Sequence, residues 1–145
     1  MKLKNRQNIQ LKAITIPVLL FLMITVCSCS KKLTFSESAI VPAAQGSVKF
    51  KKDKNENYAI NLTVRNLSEP GRLVESRNTY VVWANTSNTG VKNLGQLKNA
   101  SGLFSKKLKS ELRTTTPFKP EGFFITAENK ADITYPGGQV ILTTR

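Results

Sequence analysis

Tyr58-Ala59-Ile60-Asn61-Leu62-Thr63-Val64-Arg65 is the stretch that decides the fold. Apolar and polar residues alternate along it almost without a break, and a period of two is that of a β-strand with one face buried. Tyr58, Ile60, Leu62 and Val64 form the inward stripe, and Ala59, Asn61, Thr63 and Arg65 form the outward one. Immediately upstream the pattern recurs: Val48 and Phe50 point in, Lys49 and Lys51 out.

Working downstream, Pro70-Gly71 marks a turn, and a third strand runs from Thr79 to Thr86. Val91 to Lys98 is a weaker strand, whose internal Gly95 suggests a bulge or an edge. Ser105 to Thr115 places Leu108 and Leu112 inward, with Lys107, Lys109, Glu111 and Arg113 outward. Gly122 to Glu128 puts Phe123, Ile125 and Ala127 on one face, and Gln139 to Thr144 closes the set after Pro136-Gly137-Gly138. Short strands in this succession predict an all-β, immunoglobulin-like antiparallel β-sandwich of about seven strands over residues 47–145. A small Greek-key barrel fits the same patterns.

Within the third strand, Tyr80-Val81-Val82-Trp83 is apolar on both parities, so only one pair can enter the space between two sheets. Val81 and Trp83 are expected there, because the corresponding strand of immunoglobulin-like domains buries a Trp at its centre. Tyr80 and Val82 then lie outside and join Phe124 in an apolar face. Soluble domains seldom leave such a face bare, so it is either covered by residues 31–45 or used for a partner.

The amino-terminal residues are of a different kind. Lys2, Lys4, Arg6 and Lys12 stand with no acid among them, and the chain then runs apolar from Ala13 to Val26. This is the charged and apolar succession of a signal peptide, too short for the roughly 20 apolar residues of a membrane span. The run ends in Val26-Cys27-Ser28-Cys29, which resembles the lipobox of bacterial lipoproteins. The resemblance implies cleavage after Ser28, so that residues 1–28 are a leader, and diacylglycerol with further acylation such as palmitate on Cys29. Residues 29–46 then read as the lipidated amino terminus and a tether, with one short strand near Leu33 to Glu37. Two or three acyl chains make such attachment effectively permanent.

Cys27 would leave with the leader and Cys29 carry lipid, so no thiol remains for a disulfide or a metal. The chain has no histidine, which removes Ser-His-Asp triads and His-ligated metals together. Glu128 with Asp132 is the nearest approach to a carboxylate pair, and it reads as the decoration of a turn. No catalytic residue, no metal and no cofactor other than the covalent lipid are expected.

Of 22 basic residues four belong to the leader, and the remaining 117 residues carry 18 basic residues against nine acids, a net +9. In an envelope compartment such charge meets anionic lipids and glycans rather than nucleic acid. Lys49, Lys51, Lys107, Lys109 and Arg113 are the candidates for an anionic-surface patch, with Lys52, Lys54 and Arg65 on the same face if the strands pair as in immunoglobulin-like sheets. The same rows also suit a solvated face that keeps strand edges soluble.

From Tyr80 onward the order of motifs resembles the extracytoplasmic domain of anti-sigma-K-type regulators. The matching elements are Tyr80-x-Val82-Trp83, Leu94-Gly95-Gln96-Leu97, Phe123-x-Ile125-Thr126-Ala127-Glu128 and Pro136-Gly137-Gly138. The chain is also similar to small Gram-negative envelope lipoproteins with this succession. These resemblances imply a sandwich that senses or binds something outside the cytoplasm, without the cytoplasmic sigma-binding module. Together the features predict a non-catalytic binding or structural lipoprotein of the cell envelope. Ser30 differs from the Asp that retains lipoproteins at the inner membrane, which favours the periplasmic leaflet of the outer membrane. The partners expected are the membrane through the anchor, and an envelope protein or anionic glycan or lipid. A sensory or regulatory role is the alternative.

Overall fold

The computed structural model describes residues 30–99 and 109–145; residues 1–28, expected to be a leader, and Cys29, Lys107 and Leu108 lie outside the described residues. It is an antiparallel sandwich of two sheets. The first has the order β1(Lys31–Thr34)-β2(Gln45–Lys52)-β3(Tyr58–Arg65)-β7(Lys109–Thr116)-β6(Lys98–Asn99). The second has the order β5(Gly90–Gln96)-β4(Thr79–Thr86)-β8(Pro120–Glu128)-β9(Gln139–Thr143). Hairpins join β2 to β3 and β4 to β5, while the chain changes sheet between β3 and β4 and between β7 and β8. That is the immunoglobulin-like arrangement expected from the strand patterns.

Alternation decides which side chains meet between the sheets. Val48 and Phe50 of β2, Ile60, Leu62 and Val64 of β3, and Phe123, Ile125 and Ala127 of β8 are buried in one core, as their periodicity requires. Phe50 meets Phe123 edge-on across the two sheets, with ring centroids 5.4 Å apart. Gly95 marks both features anticipated for it. It lies on the edge strand β5, at φ +118°, beside a bulge that shifts the register between Val82 and Trp83.

The parity of β4 is the reverse of the expectation. Tyr80, Val82 and Ala84 enter the core between the sheets, whereas Val81 and Trp83 point to the outer face of the second sheet. Phe124 is paired with Trp83 and stacks on it at 6.2 Å. The postulated apolar partner face of Tyr80, Val82 and Phe124 therefore does not exist: two of its members are core and the third lies on the opposite side. The physical reason is polar. Trp83 needs an acceptor for its indole N–H, and the outer face offers Thr126 Oγ1 at 2.8 Å, where the inner face is lined by apolar side chains. Tyr80, at the end of the strand, can bury its ring and still reach out, donating its hydroxyl to Ser68 O at 3.0 Å.

Trp83 is nevertheless inaccessible, at 0% exposure, as is Val81. The loop 129–138 between β8 and β9 folds back over this face, and Asn93 Nδ2 donates to Ala131 O and Ile133 O at 2.9 and 2.8 Å to hold it there. The cover is thus this loop rather than residues 31–45.

Residues 31–45 belong to the sandwich itself. β1 pairs along its length with β2, from Lys31 opposite Phe50 to Thr34 opposite Ser47. Phe35 then bridges to Thr144 beyond β9, so the segment steps from one sheet to the other and closes that edge. The step is possible because Gly46 has no side chain: a Cβ there would lie 2.6 Å from the Phe35 ring. Val41 and Ala44 follow into the core. The expected strand near Leu33 to Glu37 is present, displaced toward the amino terminus, and residues 31–46, expected to be part of a tether, pack into the sandwich.

Candidate polyanion-binding face

The outer face of the first sheet inherits the outward stripe of each strand. Lys32 lies beside Lys49, Lys49 beside Asn61 and Asn61 beside Arg113 in one row across four strands. A second row runs through Ser47, Thr63, Glu111 and Lys98, and a third through Gln45, Arg65 and Lys109. Lys51 stands next to Lys49 on the same side of β2. Of the five residues proposed for the basic patch, Lys49, Lys51, Lys109 and Arg113 are brought to one face, and Lys107 lies outside the described residues.

Glu111 is the one carboxylate of this face among the described residues. Lys109 Nζ contacts its Oε1, and Arg113 approaches its Oε2 at 3.8 Å. The hydrogen bond from Lys109 holds the Glu111 carboxyl below the usual carboxylate range. Lys32, Lys49, Lys51 and Arg65 have no carboxylate partner among the described residues. Like charges held side by side without counter-ions are a standing invitation to an anion.

The sheet is not flat under these cations. A shallow groove of about 450 Å³ is lined by Lys32, Gln45, Gly46, Ser47, Lys49, Asn61, Thr63, Arg65 and Lys109. Its walls combine ammonium and guanidinium donors with hydroxyl and amide groups and contain no carboxylate. Such a surface can take phosphate, sulfate or carboxylate groups through charge-assisted hydrogen bonds while contacting sugar hydroxyls with its neutral residues. Lys32 and Lys98 were not recognised as members from the sequence. The signal for Lys32 is the alternation in Lys31-Lys32-Leu33-Thr34, hidden by treating the segment as tether.

The carboxylate pair has a different fate. Glu128 is buried, and its Oε1 accepts hydrogen bonds from Thr126 Oγ1 at 2.7 Å, Gly137 N at 3.1 Å and Gly138 N at 3.0 Å. With Trp83 donating to Thr126, these groups form one chain from β4 to the far end of the covering loop. Asp132 is exposed on that loop. Glu128 is consumed in holding its own loop. Among the described residues no cluster of three or more Cys, Asp or Glu could hold a metal ion.

Trp83, Thr126 with Glu128, and Gly137-Gly138, far apart in the sequence, are hydrogen-bonded one to the next. Their common task in this chain is to clamp a loop to a sheet. Compared with protein-family models, curated proteins and solved structures, the chain matches none.

Proposed function

We propose that this chain is a lipid-anchored, non-catalytic binding module of the bacterial cell envelope, whose basic sheet face takes an anionic polymer of that compartment. The observation that carries the proposal is the set of cations on the first sheet: Lys32, Lys49 and Arg65 line a groove free of acids and have no carboxylate partners among the described residues, and Lys51 stands beyond Lys49 on the same face. The sequence supports the location. The basic leader and Val26-Cys27-Ser28-Cys29 fit export and acylation, and Ser30 fits delivery to the periplasmic leaflet of the outer membrane.

An extracytoplasmic sensory or regulatory domain is the second reading. It draws on the resemblance of the sequence motifs to anti-sigma-K-type regulators, and its partner would be a membrane regulator engaged by the loop 129–138, where Tyr135 is exposed.

Palmitate labelling with mass spectrometry of the mature amino terminus tests the anchor. The expected species begins at acylated Cys29, and Cys29→Ser accumulates as unlabelled precursor. A mature terminus elsewhere, free of lipid, would overturn the proposal.

A further inference from the structure

The sandwich has a second cationic site, at the end where the chain enters it. Lys31 of β1 pairs with Phe50 of β2, and Lys52 of β2 pairs with Tyr58 of β3, so all four side chains lie on the inward side of the first sheet at its open end; Lys52, expected on the outer face, shares the parity of Phe50 instead. Lys119 and Pro120 at the start of β8 face them from the other sheet. Between them is a cavity of about 210 Å³, lined also by Lys51. Its floor is apolar, because Phe50 is buried against Phe123 and Tyr58 packs on the core. Its rim is cationic and no carboxylate lines it. Glu56 pairs with Lys52 at 2.8 Å from outside, and Asp53 is turned to the amides of Asn55 and Asn57 at 2.8 and 3.0 Å.

We infer that this mouth is a docking site for the phosphate headgroups of anionic phospholipid in the membrane that holds the anchor. The inference rests on the lipidation proposed above and adds an orientation to it. Only Ser30 separates Cys29 from the first residue of β1, so the Cα of Lys31 lies within about 7 Å of the Cα of the acylated cysteine. The headgroup layer of a bilayer leaflet is itself about 5–8 Å deep. A strand tied down that closely, hydrogen-bonded along its length to β2, cannot swing its own end of the domain away from the membrane. Lysines there reach phosphate while their stems rest on Phe50 and Tyr58. The groove on the outer sheet face then stands beside the membrane rather than on it, open to a soluble polymer.

The test is residue-by-residue lysine acetylation of the full lipidated protein, read by mass spectrometry with an uncharged reagent. Nanodiscs of phosphatidylcholine are compared with nanodiscs of equal phosphatidylglycerol and phosphatidylcholine. Lys31, Lys51, Lys52 and Lys119 are expected to react about fivefold more slowly on the anionic discs, a protection removed by high salt, while Lys130 in the distant loop is unchanged. Equal rates on both discs, equal protection of Lys130, or protection confined to Lys49 and Lys109 would overturn the docking site. Intact mass of the same sample reads the acyl chains on Cys29 separately. If they are missing, the anchor fails, and the same measurement with vesicles decides the mouth alone: protection of the four lysines supports it and its absence overturns it.

Discussion

Trp83 donates its indole N–H to Thr126 Oγ1 at 2.8 Å on the outer face of the second sheet, and Thr126 donates its own hydroxyl to Glu128 Oε1 at 2.7 Å. A carboxylate buried on a sheet face would ordinarily be costly, but this one collects three hydrogen bonds on a single oxygen, two of them from backbone amides of the loop it secures. The side of the sheet that might have faced water becomes a second small core.

Glu128→Ala is therefore expected to release the loop as well as destabilise the fold. Hydrogen bonds to a charged group are worth more than neutral ones, and three donors would lose their acceptor, a cost of about 3 kcal/mol in urea unfolding. Glu128→Gln keeps an oxygen for the amides and should cost about 1 kcal/mol. Trp83 is the single tryptophan, so its emission reports directly on the cover. A red shift in folded Glu128→Ala, absent in Glu128→Gln, is the expected signature.

Two adjacent glycines should behave very differently. A Cβ on Gly138 would fall 1.8 Å from the carbonyl oxygen of Ala127, a backbone atom that cannot step aside, whereas one on Gly137 meets nothing closer than Glu128 Oε2 at 3.9 Å. Gly138→Ala is expected to lose about 3 kcal/mol or more, and Gly137→Ala to stay within about 1 kcal/mol of the parent. Thermal unfolding of the pair distinguishes them, and similar midpoints would contradict the close approach of β9 to β8.

How far this was legible from the residues differs by strand. Tyr58 to Arg65 has one buried and one open face, and its alternation reads directly. Tyr80 to Trp83 is covered on both faces, so neither parity is polar and periodicity carries no direction. The decisive hint was elsewhere, in Thr126 and Glu128, which share a parity with Phe124 in the otherwise apolar run 123–128. Polar groups placed there offer a tryptophan its acceptor. Of the basic face, the rows of β2, β3 and β7 followed from alternation. Lys32 did not, because β1 is too short and too polar to announce itself until its pairing with β2 is known.

Tyr80 supplies an alkaline test of the same parity. Burial pushes its phenol from 10 up to about 12. The folded state therefore keeps a proton that the unfolded state gives up first. Its stabilising effect is whole below pH 10 and is lost as pH rises from 10 through about 12. Tyr80→Phe loses the hydrogen bond to Ser68 O, about 1 kcal/mol at neutral pH, and should flatten the fall of stability across that window. An unchanged alkaline slope in Tyr80→Phe would place the loss on another group.

The basic face makes the last prediction, and Glu111 gives it a sign. With Lys109 bonded to it, Glu111 stays ionised below the usual carboxylate range and neutralises part of the patch. As pH falls through its lowered value the carboxylate is lost, the ion pair goes with it, and the face gains one positive charge. Binding of dextran sulfate, which remains charged in acid, should therefore tighten at the acid end, and Glu111→Gln should show the tighter binding already at neutral pH. Lys49→Gln with Lys109→Gln and Arg113→Gln should weaken it and reduce its dependence on salt, because exposed charges are screened over about 8 Å at physiological ionic strength. All of these side chains are at least partly open to solvent, so urea midpoints should move little, within about 0.5 kcal/mol for each replacement. Affinity that ignores the triple replacement at low salt would leave the cations of this face as a solubilising surface and nothing more.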